Sequence, residues 1–377
     1  MDEILNSVLQ VAEILIIKRD FDLLKKIVTN FPSEMQLQLI PYTALFCYEG
    51  LEYLKKVGQE VQLGQISQYS IKDIRQKAKF FDLSLNKLFQ CIENIDRVQN
   101  EYFANLMRFP ELGKWNIHTN LGIYYDEHKN IVGNTHYAFY IFQDDKTICK
   151  PDDEMKARDI INKEIYDFAY DMGGIIGGIS SGLSSISDFI RADFDPSPLI
   201  MHSQDFNTNR CFASENNIYK IVRLFLLHIV SNIGMILFGL KKSIVRDTGF
   251  LVRLEYITYH YSIMRLEKLT RYCNDHKNLM QDRKIAEMLR CFDYSDENEL
   301  RRTEFRNCVM HFSLKDKEGR SLIDKDKLNL AIPFCGLVES QFGMTYNEYR
   351  SKLETQLSFL YETIREYLDF DVAVELK

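Results

Sequence analysis

Arg306-Asn307-Cys308-Val309-Met310-His311 lies in a segment whose spacing predicts a helix from Leu300 to Phe312. Ser295-Asp296-Glu297, just before it, supplies an N-cap residue and an acidic first turn, so the helix is expected to begin there. With an advance of about 100° per residue, Phe305, Val309 and Phe312 at i, i+4 and i+7 share one side, which reads as a core face. Asn307 and His311, an i, i+4 pair, fall roughly 160° and 200° from Val309 and therefore point away from that face. Glu304 lies one turn earlier on the same strip. Arg306 falls about 60° from Val309, at the edge of the core stripe, where a long side chain still reaches outward.

The residue types matter as much as their phase. A guanidinium grips phosphate oxygens and stabilises charge that builds on them. An imidazole titrates near neutrality and moves protons to and from attacking and leaving oxygens. Two other Arg-to-His spacings, Arg223 to His228 and Arg253 to His260, are similar, but neither Arg is followed by Asn. The Arg-Asn-x-x-x-His order of Arg306, Asn307 and His311, late in a helical array, resembles the HEPN superfamily over roughly residues 216–315. That resemblance implies a helical bundle, often a toxin or phage-defence ribonuclease, that dimerises so that two motif helices form one composite site. It implies catalysis without metal or cofactor: His311 as acid or base, Arg306 stabilising the phosphorane, and Asn307 orienting the phosphate or His311. A polar side chain from the second helix often joins such sites, and Glu255 and His260 are both candidates here. RNA is the implied substrate, with an antitoxin or regulatory protein as a further partner.

Composition is compatible with this and does not require it. The 377 residues are 46% hydrophobic and 27% charged, as in ordinary globular proteins. With 47 basic and 54 acidic residues the net charge is −7, which argues against a general nucleic-acid coat. Residues 246–315 hold 13 basic and 11 acidic residues, a local balance of +2. The eight cysteines show no Cys-x-x-Cys pair and no zinc-ligand spacing, and Cys308 lies inside the motif. Dispersed thiols and an acidic N-terminus, Met1-Asp2-Glu3-Ile4, make the cytoplasm the expected compartment.

A mainly α chain is predicted, with an N-terminal helical region at 1–195 and a HEPN-like bundle at 210–377. Helices are expected at Ile4–Ile17, Phe21–Val28, Leu39–Leu54 and Ile71–Met107. Trp115–Tyr125 and Thr135–Phe142, rich in aromatic and β-branched residues around the polar turn 126–130, read as a small β-hairpin or sheet. His118, His128 and His136 there are too widely spaced to argue for a metal. Gly173 to Gly182 lacks a P-loop ending, so helix packing and a flexible loop both remain open. Asp152-Asp153-Glu154-Met155-Lys156 reads as a solvated helix start, and the turn-rich run Asp193–Asn209 as a domain boundary. Leu224–Leu240 is interrupted by His228, Ser231 and Asn232, and is expected to be a buried bundle helix and no membrane span. Helices at Phe250–Asn274, Asp282–Cys291 and Tyr346–Leu368 complete the array. An alternative to the enzyme is a non-catalytic RNA-binding or protein-interaction module in which the motif holds a helix–helix contact.

Overall fold

The computed structural model describes residues 2–63, 74, 77, 84–105, 118–142, 154–188, 190, 192–197, 199–212, 217–276, 279, 282–295 and 298–369. It is 70% helical, about twice the usual share for globular proteins, and its sheets are small and antiparallel, so the fold is mainly α. The expected strand start at Trp115, the start and end of the Ile71–Met107 helix, and Asp152-Asp153 lie outside the described residues.

The N-terminal part opens with α1 (Asp2–Asn30), one continuous helix where two were expected, and α2 (Ser33–Lys56). α3 (Leu85–Asn105) follows, then β1 (Leu121–Asp126) and β2 (Ile131–Asn134). The polar turn joins these strands as expected. Asp126 Oδ1 accepts from the backbone N–H groups of His128 and Asn130, both at 2.9 Å, while Lys129 adopts φ 63°. Thr135–Phe142 is not a strand: it forms α4 (His136–Phe142). Asn134 Oδ1 accepts from the Tyr137 N–H at 3.1 Å, and six of the seven helix residues, all but Phe139, are buried. Packing has overridden the aromatic, β-prone composition here. α5 (Glu154–Gly182) absorbs the glycine-rich stretch as helix, and Gly178 lets the backbone at Gln62 and Leu63 press close.

The run 193–209 is more than a boundary. It contains β3 (Asp193–Phe194), β4 (Met201–Phe206) and the short α6 (Thr208–Cys211). β4 pairs antiparallel with β1, giving a β2-β1-β4 sheet, so an edge strand from beyond α5 completes the hairpin. Asp96 of α3 fastens this corner, accepting from the Thr208 hydroxyl, the Asn120 amide and the Lys220 ammonium.

α7 (Asn217–Gly234) continues through a π-helical stretch, Met235–Leu240, and a last turn, Lys241–Ser243. It is long and apolar enough to cross a membrane, yet 89% of its most apolar window is buried inside the protein, against β2, α3, α8 and α12. β5 (Ile244–Arg246) pairs with β3. Next come α8 (Phe250–Asp275), α9 (Arg283–Arg290, capped by Asp282), α10 (Thr303–His311), α11 (Pro333–Phe342) and α12 (Tyr346–Leu368). α12 starts with a Thr345–Glu348 capping box. One cluster of buried apolar side chains runs from Leu9 to Leu368 and includes residues of both expected parts.

Candidate active site at the end of the motif helix

α10 is shorter than its spacing suggested. Asp293 and Asn298 hold the preceding chain in turns: Asp293 Oδ1 accepts from the Ser295 N–H at 2.9 Å, and Asn298 Oδ1 from those of Leu300 and Arg301 at 2.9 and 2.8 Å. Such side chains offer the backbone a partner that competes with helix. The helix therefore begins at Thr303, with no side-chain cap at Arg302, and ends where Phe312 turns left-handed at φ 53°. Its buried face is the expected one. Phe305 sits among Tyr256, Phe342 and Tyr349, with ring centroids 4.9, 5.0 and 5.5 Å away, and Val309 and Phe312 are also buried.

On the other side, Asn307 and His311 open into a cleft of about 560 Å³. Thr303 and Glu304 form one wall, and the tight turn from Ser313 to Leu322, with Lys315, Lys317 and Arg320, forms the other. The Lys315–Ser321 bridge and Gly319 at φ 81° close that turn. Arg320 is committed to Asp316 and Glu318, whereas Lys317 is exposed and has no ion pair among the described residues.

His311 is 53% exposed, and its Nδ1 lies 2.7 Å from Glu49 Oε2 of α2, whose side chain is 15% exposed. A carboxylate on Nδ1 fixes the ring and its tautomer and leaves Nε2 for chemistry. Sequence spacing does not point to Glu49. The pair is 262 residues apart, and no local pattern marks position 49.

Arg306 does not line the cleft. It is half-buried and donates to Asn307 Oδ1 at 3.2 Å. Asn307 thus joins it to the cleft, while Arg306 and His311 do not meet within one chain. The positive charge of Arg306 is felt by His260 of α8: burial, then Arg301 and Arg306, push that imidazole down to about 3, so it is neutral near pH 7. Glu255 is engaged elsewhere. It is fully buried and paired with Arg350 at 2.8 and 3.1 Å. Cys308 is buried and its thiol is pushed well up by that burial. Among the described residues, no three His, Cys, Asp or Glu side chains converge as metal ligands do. No family model matches the chain, and no match is found among curated proteins or solved structures.

Proposed function

We propose that this chain is a metal-independent endoribonuclease of HEPN type, with His311 as its proton-transferring group and Glu49 as the residue that orients it. The observation that carries the reading is the 2.7 Å contact between His311 Nδ1 and Glu49 at the mouth of a cleft that also holds Asn307, Lys315 and Lys317. The reaction is attack of a ribose 2′-oxygen on the adjacent phosphorus. That bond forms as the bond from phosphorus to the 5′-oxygen breaks, leaving a 2′,3′-cyclic phosphate and a 5′-hydroxyl. His311 Nε2 takes the 2′-hydroxyl proton or delivers one to the leaving oxygen. Lys315 and Lys317 line the cleft together with Glu304, Asp316 and Glu318 and would meet the phosphate, while Arg306 would act on it through Asn307. In the homodimer implied by the family resemblance, two copies of His311 divide the two proton transfers. A cytoplasmic toxin or antiviral role, restrained by an antitoxin or regulatory protein, follows from that resemblance alone.

A second reading draws on the same contact, since Glu49 and His311 join α2 to α10 as a helix–helix tether would. Energetics weigh against a tether as its purpose, because one side-chain hydrogen bond ending on a half-exposed imidazole is worth on the order of 1 kcal/mol net. Substrate chemistry separates the two. A single-stranded RNA should be cut to a 2′,3′-cyclic phosphate, and the same strand with 2′-deoxy sugars should bind and stay intact. Equal cutting of the deoxy strand, or no cutting of either, refutes the ribonuclease.

A further inference from the structure

Three polar contacts hold the C-terminal end of α10: one comes from α1, and a second, from α8, is backed by α1. Arg253 of α8 is fully buried, and its Nε and Nη2 both donate to the carbonyl of Val309, at 2.9 and 2.7 Å. That carbonyl lies in the last turn of a helix that stops at His311, where intrahelical donors run out. The guanidinium carbon sits 3.9 Å from the Phe312 ring centroid and 4.3 Å from that of Phe46, so the fork rests in the corner between two rings that meet edge to face. Its Nη1 is paired with Asp20 of α1. Two turns earlier on α1, Glu13 accepts the Leu314 N–H at 2.7 Å and the Tyr53 hydroxyl. Residues 13 and 20 are i and i+7, hence on one face of α1. The third contact is Glu49 on His311 itself.

We infer that α1 carries the positioning residues of the His311 site: Asp20, acting through Arg253, and Glu13 fix the turn 309–314 so that the imidazole rests on Glu49 with Nε2 toward the cleft. The consequence for catalysis rests on the ribonuclease reading; the positioning does not. Buried charges are an expensive way to fasten a helix end, and well-packed apolar side chains often do as well or better. Here burial raises both carboxyls, Asp20 to about 7, against the opposing pull of Arg253 and of the Tyr53 and Leu314 hydrogen bonds. What the charged arrangement adds over an apolar one is direction, since a forked guanidinium on one carbonyl defines where the last turn points.

The test reads the imidazole and, separately, turnover. In ¹⁵N-histidine-labelled full-length protein, His311 is assigned from its disappearance in His311→Gln. Asp20→Asn and Glu13→Gln keep shape and remove charge, and circular dichroism checks that each is folded. In each variant the Nδ1 and Nε2 signals of His311 should move toward their positions in Glu49→Gln, while those of His128 and His202 stay put. RNA cleavage should lose about 10–100-fold in kcat with KM within about twofold, as misplacement of a reacting group does. Unchanged His311 signals in folded variants overturn the inference, as does loss of fold in both variants, which would make the contacts purely structural. A parent protein that cuts no RNA overturns the ribonuclease and leaves the NMR result to decide the positioning.

Discussion

His260 sits on α8 with an imidazole that burial and two neighbouring arginines hold at about 3, against an ordinary value of 6.5. A histidine depressed in the folded state binds fewer protons there than in the unfolded chain. Its contribution to stability is therefore present above pH 6.5 and is lost as pH falls from there toward 3. Between pH 7 and 5 this amounts to on the order of 1–2 kcal/mol. The His260→Gln variant should lose that much less stability than the parent over the same interval, measured by urea unfolding at each pH. Identical pH slopes would show that His260 is not buried neutral beside Arg301 and Arg306. At this scale the sequence was legible where helix phase alone sufficed. The outward placement of Asn307 and His311 and the burial of Phe305, Val309 and Phe312 need only spacing. Glu49, Arg253 and Glu13 on the turn 309–314 depend on chain segments far away in sequence, and no local periodicity encodes them.

Two glycines test the packing of elements in opposite directions. A Cβ on Gly234 of α7 would stand 1.8 Å from the Ile131 carbonyl of β2, so helix and hairpin are in contact there through backbone. Gly234→Ala should destabilise the protein by about 3 kcal/mol or more, at the upper end of overpacking costs. Gly173, exposed on α5 with nothing within 4 Å of its would-be Cβ, is an ordinary helix interior position. Gly173→Ala should stabilise by about 0.5–1 kcal/mol. Both follow from urea titrations, and a neutral Gly234→Ala would contradict the close seating of β2 on α7. Long helices were readable from their apolar period, and α12 matches its expected range residue for residue. Spacing misleads where local chemistry outweighs period. Asp293 and Asn298 turn the chain that was expected to be helix, and Asn134 starts a helix from residues that favour strands. β4 was hidden because an edge strand reading Met-His-Ser-Gln-Asp-Phe is mostly polar and exposed.

At the scale of the molecule, the most apolar segment is an inner helix. α7 has the length of a membrane span, yet β2, α3, α8 and α12 cover it, and His228, Ser231 and Asn232 lie within this protein core. α10 packs between α8 and α2, so the candidate site takes His311 from one end of the chain and Glu49 from the other. RNA cleavage at that junction is the function proposed for the molecule. The direct measurement is cleavage of a fluorescent single-stranded RNA by the full chain in excess chelator, compared with His311→Ala of equal circular dichroism. The parent should cut at an undiminished rate, and His311→Ala should be slower by ~10²–10⁴-fold, the usual worth of a positioned acid–base group. Equal rates for the two proteins, or loss of the parent's activity on adding chelator, would contradict it.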